Sequence, residues 1–121
     1  MFINFSNHPS SFWSEHQKEE ASRYGQITDL PFPVVSPKAD EITIDAMAEE
    51  YIKRIRHISY PSLPSDTTVH VMGEMTLCYR VVTKLYQLGY TCVASTTERI
   101  SQEFPNGKKT SLFTFVQFRK Y

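Results

Sequence analysis

The sequence has few cysteines and no excess of charge of either sign. Its two cysteines, Cys78 and Cys92, lie among apolar residues and have no second cysteine at metal-binding spacing. This predicts buried free thiols in a reducing compartment, with a structural disulfide as the alternative. The 13 basic residues balance the 13 acidic ones, so no basic excess can hold a long nucleic-acid backbone. We therefore expect no DNA partner.

Several other signals are also missing. The opening MFINFSN has no basic segment followed by a long apolar run, so no signal peptide is predicted. The apolar runs are too short to span a bilayer, which predicts a cytoplasmic protein with no membrane partner. The four histidines are scattered without metal-ligand spacing, and neither G-x-G-x-x-G nor a P-loop occurs. We expect neither a metal nor another cofactor.

The pattern of apolar residues predicts strands that alternate with helices over a single domain, residues 1–121. Alternation of this kind favours an α/β fold, a Rossmann-like and mostly parallel sheet flanked by helices. Asn106-Gly107 between two alternating segments adds a C-terminal antiparallel β-hairpin. The predicted strands are 1–6, 26–30, 67–72 and 90–94, the helices 14–24, 40–59 and 74–88, and the hairpin strands 99–104 and 110–118.

Ligands of such folds bind beyond the carboxyl ends of the parallel strands, and polar residues follow each predicted strand. His8 is a candidate general acid or base there. Gly73 would let backbone approach a ligand at a helix N-terminus, and Arg99 would be a charge-assisted phosphate donor. Further candidates for ligand binding are Ser6, Asn7, Ser10, Ser11, Glu74, Met75, Thr76, Thr96 and Thr97.

Each candidate also has a structural interpretation. Asn7 and His8 are suited to the turn before Pro9. Gly73 can serve a tight turn while Glu74 or Thr76 caps the helix. Arg99 can pair with Glu98 at the surface, where an ion pair contributes little. His70, inside a strand, is expected to be a hydrogen-bonded core histidine.

The order of the segments INFSNHPSSFWSEHQ, DLPFP, HVMGEMT, VASTTER and FTFVQFRKY resembles the short stand-alone Rossmann-like proteins encoded near type III CRISPR systems. Those proteins are similar to CARF domains and include ring nucleases. The resemblance implies a homodimer that binds a cyclic oligoadenylate across its two-fold axis. It also implies metal-independent cleavage, with a ribose 2′-hydroxyl as the internal nucleophile.

Carried over by position, Ser10, Ser11, Gly73, Met75, Thr76 and Thr97 would hold phosphates and adenosines. His8, Glu74 or Arg99 would transfer a proton or stabilise charge. Three alternatives stay open: a module that sequesters a nucleotide without chemistry, a nucleoside-processing enzyme with a carboxylate nucleophile such as Glu74, and an interaction domain. We expect no effector nuclease domain of the kind that sensor members of this group carry.

Overall fold

The computed structural model describes residues 1–121, in which strands and helices alternate as the apolar pattern predicts. The elements are β1 (Phe2–Ser6), α1 (Glu15–Ser22), β2 (Ile27–Asp29), α2 (Glu41–Ser59), β3 (Thr68–Met72), α3 (Met75–Gln87), β4 (Thr91–Glu103) and β5 (Lys109–Lys120). Short 3-10 turns at Ser10–Phe12 and Pro64–Asp66 precede α1 and β3.

The five strands form one sheet in the order β2-β1-β3-β4-β5. The first three pairings are parallel, and β4 pairs with β5 in an antiparallel hairpin. This confirms the predicted α/β class with a mostly parallel sheet and a C-terminal hairpin. No helix is both long and apolar enough to cross a membrane.

Helices cover the two faces of the sheet unequally. Residues of α2 and α3, among them Ile44, Ile55 and Leu77, pack with Val69 and Val71 of β3 in the larger core cluster. On the other face, α1 contributes only Ala21 to a small cluster with Phe2, Trp13 and Val93. Parallel strands in the middle of a sheet are buried on both faces, so any polar side chain there needs a partner inside the protein.

The helices begin where side chains can accept hydrogen bonds from their first free N–H groups. Ser14 accepts from Gln17 N at 3.2 Å at the start of α1, and Asp40 accepts from Thr43 N at 2.8 Å at the start of α2. Gly25 follows α1 with a φ of 133°, a conformation that side chains disfavour.

The predicted break between the fourth parallel strand and the hairpin is wrong. β4 runs without interruption from Thr91 to Glu103, and residues 95–97 are strand rather than loop. Residues 95–97 are Ser-Thr-Thr, a segment that suggested a loop after the buried strand. Threonine is β-branched, however, and therefore also favours an extended backbone. The register shifts between Thr96 and Thr97, which leaves Val116 of β5 opposite no residue.

The C-terminal aromatic residues differ in burial along the hairpin. Phe115 is buried, and Phe118 packs against Phe2 and Trp13. Phe113, farther along the hairpin, is 64% exposed. The two cysteines are free and buried, as predicted, and burial raises the pKa of Cys78 to about 11 and that of Cys92 to about 12.

Candidate functional site

The strand order reverses at β1, which lies between β2 and β3. The chain leaves β1 toward α1 on one face, and it leaves β3 toward α3 on the opposite face. Loops that diverge in this way open a crevice beyond the carboxyl ends of the strands. We call this region the strand-end edge; it comprises residues 7–12 after β1 and residues 73–76 after β3.

Several candidate residues are exposed at the strand-end edge. Asn7, His8 and Ser11 are exposed on the β1 side. On the β3 side, Met75 is 82% exposed, and on the β1 side Phe12 is 85% exposed. The edge therefore offers an amide, an imidazole, a hydroxyl and apolar surface to solvent.

Gly73 has a packing role at this edge. A Cβ at this position would lie 2.5 Å from Cδ1 and Cε1 of Phe32, which follows β2. Phe32 N also donates to Ser6 O at 3.1 Å, which holds the proline-bracketed segment against the end of β1. Gly73 is thus required for the close approach of the Phe32 ring.

Glu74 caps α3. Its two carboxylate oxygens accept from Thr76 N at 3.1 Å, from Leu77 N at 2.8 Å and from the Thr76 hydroxyl at 2.7 and 2.8 Å. These hydrogen bonds lower the pKa of Glu74. The bond from the Thr76 side chain has the largest effect, and the bond from Leu77 N is second. Glu74 is therefore a carboxylate near neutral pH, and it occupies the N–H groups that an incoming phosphate would use.

The candidates on β4 do not join the edge. Thr96 donates to Gln117 O at 3.2 Å, and Thr97 opposes Phe115 in the hairpin. The Arg99 guanidinium donates to the Ser111 hydroxyl at 3.0 Å across the exposed hairpin. These contacts follow from the continuity of β4, which pairs residues 93–103 with β5.

A buried polar network lies directly beneath His8, and only parts of it were expected. Asn4 Nδ2 donates to His8 O and to Asp29 Oδ1, both at 2.9 Å. The Ser6 hydroxyl donates to Asn4 Oδ1 at 2.7 Å, and Trp13 Nε1 donates to His8 O at 3.1 Å. The His8 backbone is thus fixed by side chains from β1 and from Trp13, which precedes α1.

The same network crosses the sheet. His70 Nδ1 lies 2.8 Å from Asn4 Oδ1, and His70 Nε2 lies 2.7 Å from the Ser95 hydroxyl. Gln17 Nε2 donates to that hydroxyl at 3.2 Å. At the other end the Ser10 hydroxyl donates to Asp29 Oδ2 at 3.0 Å. We call these seven residues the polar network: Asn4, Ser6, Ser10, Gln17, Asp29, His70 and Ser95.

Only one arrangement of protons satisfies the network. Asp29 accepts only, so the Asn4 amide directs its NH₂ toward Asp29 and its oxygen toward His70. His70 Nδ1 must then carry the proton, and Nε2 accepts from the Ser95 hydroxyl. Burial among aromatic rings, and secondarily the charge of His8, lowers the pKa of His70 to about 4, in agreement with a neutral imidazole.

Sequence reasoning identified His70 as a satisfied core histidine, which is confirmed, but it missed Asn4 and Ser95 as its partners. A usable signal was present. Asn4 and His70 are polar residues inside otherwise apolar parallel strands, and such residues must be paired with each other or with a neighbour.

Two concave surfaces lie beside the edge. One, of about 430 Å³, lies on the α1 side and is lined by Ser10, Ser11, Lys18, Glu19, Ser22 and Ile27. The other, of about 530 Å³, is an apolar groove along α3 that includes Met72, Met75, Tyr79 and Tyr121. Ser10 and Ser11 were predicted as ligand-binding residues, and Lys18 is a cation beside them. No group of three or more metal-ligating side chains is placed to hold a metal ion.

These features define a small Rossmann-like α/β domain with exposed polar residues where its strand order reverses. A family model described as the uncharacterized protein MJ1673 family matches residues 1–119, and the chain belongs to that family. No curated protein matches the chain, and no solved structure matches it.

Proposed function

We propose that this protein binds a cyclic oligoadenylate at the strand-end edge and cleaves it without a metal ion, as a ring nuclease of type III CRISPR immunity. The observation that carries the proposal is the reversal of strand order at β1, which places the loops after β1 and β3 at one edge of the sheet. The proposal also rests on a resemblance in sequence. The segments INFSNHPSSFWSEHQ and HVMGEMT resemble those of stand-alone CARF-like proteins.

The chemistry of this reaction suits the edge. When a ribose 2′-hydroxyl attacks the adjacent phosphate, the nucleophile belongs to the ligand, so the protein needs to position the phosphate and move protons. His8 is the group we propose for proton transfer, because its backbone is held by Asn4 and Trp13 while its side chain is exposed. Glu74 and Arg99 rank below it, since α3 and Ser111 already occupy their polar atoms.

Base stacking rather than charge would supply much of the affinity. Phe12 and Met75 are exposed apolar side chains on the two sides of the crevice. Stacking of a base on an aromatic side chain contributes about 1–3 kcal/mol. Lys18, beside Ser10 and Ser11, is the nearest cation among the lining residues described above.

A second copy of the chain would complete the site. A domain of 121 residues cannot enclose a macrocyclic ligand, whereas two copies related by a two-fold axis present the same edge twice. The exposed Phe12 and Met75 give such a homodimer apolar surface to bury on ligand binding.

The test is incubation of the purified protein with cyclic tetra-adenylate and cyclic hexa-adenylate in EDTA, with products followed by mass spectrometry. Linear products, or products that end in a 2′,3′-cyclic phosphate, are the expected result. Intact ligand that does not change the melting temperature would reject the proposal, including its binding step.

One observation favours a second candidate, a module that sequesters the messenger without cleavage. Glu74 is engaged in capping α3 and Arg99 lies on the hairpin, so His8 alone is left at the edge to move protons. Intact ligand combined with a raised melting temperature would select this function. The nucleoside-processing alternative would instead release free adenine.

A further inference from the structure

Ser95, His70 and Asn4 are aligned as a nucleophile, a base and an orienting group. The Ser95 hydroxyl lies 2.7 Å from His70 Nε2, and His70 Nδ1 lies 2.8 Å from Asn4 Oδ1. In unrelated folds, a serine nucleophile is activated by a hydrogen bond to a histidine, and a third group orients that histidine. The proposed ring-nuclease reaction uses none of these three side chains as a reacting group.

The direction of the hydrogen bonds supports this assignment. Because Asp29 fixes the Asn4 amide, the lone pair of His70 Nε2 faces the Ser95 hydroxyl, which must donate to it. A hydroxyl that only accepted from the imidazole would be inert. The tautomer is therefore the one that a general base requires.

Donors for a developing oxyanion are also present. Ser95 N–H donates to the Met72 thioether at 3.2 Å, and a thioether is a weak acceptor that a carbonyl oxygen can replace. Gln17 Nε2 donates at the Ser95 hydroxyl itself. Ser95 is half-buried whereas His70 is buried, so the protein shields the base more completely than the serine.

We propose that Ser95 is a nucleophile that accepts an acyl group from an uncharged carboxylic ester, with His70 as its base and Asn4 as the positioning residue. The Ser95 oxygen bonds to the acyl carbon as its proton moves to His70 Nε2. The bond from the acyl carbon to the alcohol oxygen breaks, and that oxygen takes the proton. Water then attacks the acyl-serine in the same way, releasing the acid and restoring Ser95.

The charge of the network selects an uncharged substrate. Asp29 is the one acidic member, and it lies beyond Asn4 from Ser95. No lysine or arginine contributes a hydrogen bond to the network, so an anionic phosphodiester gains nothing there. This esterase activity is separate from the proposed binding of a cyclic oligoadenylate, and neither proposal depends on the other.

The first test is reaction with diisopropyl fluorophosphate, an uncharged electrophile. The Ser95 oxygen would bond to phosphorus, fluoride would leave, and the proton would pass through His70 to water. Intact-mass and peptide analysis should show one adduct, on Ser95. Ser95→Ala should lose it, and Ser101→Ala, which removes an exposed serine without a histidine partner from the same strand, should keep it. A protein that stays unlabelled, or is labelled elsewhere, would overturn the proposal.

The second test is the dependence of the labelling rate on pH, which requires no variant. His70 faces Asn4, Ser95, the rings of Phe2, Trp13 and Phe118, and the charge of His8. With a pKa of about 4, it is neutral from about pH 5 upward, so the rate should stay level from pH 6 to 9. A rate that rises tenfold per pH unit would show hydroxide rather than His70 as the base, and would overturn the assignment.

A final test measures turnover. Release of p-nitrophenol from p-nitrophenyl acetate should fall at least about 100-fold in Ser95→Ala, the lower range for loss of a positioned proton-transfer pair. Circular dichroism of the variant would confirm its fold. Equal turnover by the folded variant would contradict a nucleophilic Ser95.

Discussion

Asn4 and His70 are register partners on the parallel strands β1 and β3, and their side chains share a hydrogen bond of 2.8 Å. Through its NH₂ group the same amide holds Asp29 and the His8 carbonyl. One buried side chain therefore sets the tautomer of His70 and the position of the loop that carries His8. Loss of this side chain should affect both stability and the strand-end edge.

The first prediction concerns Asn4→Ala. The substitution leaves buried His70 Nδ1–H without a partner and removes the Asn4 hydrogen bonds of the Ser6 hydroxyl and of Asp29 Oδ1. An unsatisfied buried polar group costs about 1–3 kcal/mol, so we expect the free energy of unfolding to fall by about 3 kcal/mol in urea titrations. Asn7→Ala, which removes an exposed amide beside the same loop, should change it by less than about 0.5 kcal/mol. Equal effects of the two variants would contradict this account.

The second prediction is a loss of stability in mild acid. The His70 pKa is about 4 in the folded protein against 6.5 for an unperturbed histidine, so the unfolded chain binds a proton first as pH falls. The contribution of neutral His70 to the free energy of unfolding is therefore complete above pH 6.5. It is lost progressively as the pH falls to about 4, and the total loss is about 3 kcal/mol.

Urea midpoints at pH 7.5 and pH 5.0 measure this effect before most carboxylates titrate. We expect the protein to lose about 2 kcal/mol over that interval. His57→Gln, on the exposed side of α2, should retain the loss, whereas His70→Gln should remove most of it. A stability that does not change with pH in the wild-type protein would exclude a buried neutral His70.

Local signals in the sequence account for the element order but not for the polar network. The signals for strands and turns depend only on residues that are adjacent in the sequence, such as alternating apolar segments, Gly25 and Asn106-Gly107. The strands and turns that these signals predict are present. The contact of Asn4 with His70 joins residues 66 positions apart, and it exists only because β1 and β3 pair in one register. No local pattern specifies that register.

The misplacement of Thr96, Thr97 and Arg99 has a similar cause. A Ser-Thr-Thr segment is compatible with either a loop or a strand, and the antiparallel partner β5 decides between them. Glu74 was correctly considered as a helix cap, since an acidic side chain before a helix satisfies its first N–H groups. That both of its oxygens are occupied required the geometry of Thr76 and Leu77.

The third prediction concerns Gly73→Ala. Gly73 has no positive φ, so the substitution introduces no backbone strain and acts through the contact at 2.5 Å with Phe32. Displacement of the ring should lower the free energy of unfolding by about 1–3 kcal/mol. In a Phe32→Ala background the same change should cost less than about 0.5 kcal/mol, because the contact is gone. Additive costs in this double-mutant cycle would show that Phe32 is not the cause.

The fourth prediction concerns His8→Ala and tests the proposed ring nuclease. The buried network holds the His8 backbone rather than its imidazole, so removal of the side chain should leave fold and ligand binding intact. Cleavage of cyclic tetra-adenylate should fall at least about 100-fold, as expected for loss of a positioned acid or base. Single-turnover rates measure cleavage, and the ligand-induced shift in melting temperature measures binding.

The matched control for His8 is His57→Ala, which removes an exposed imidazole from α2, an element outside the strand-end edge. We expect its cleavage rate to stay within about twofold of wild type, since surface substitutions away from a site have small effects. If His8→Ala cleaves as fast as the control, proton transfer belongs to another group, and Glu74→Gln becomes the next variant to measure. If His8→Ala loses the melting-temperature shift along with cleavage, His8 binds the ligand, and the sequestering function gains support over catalysis.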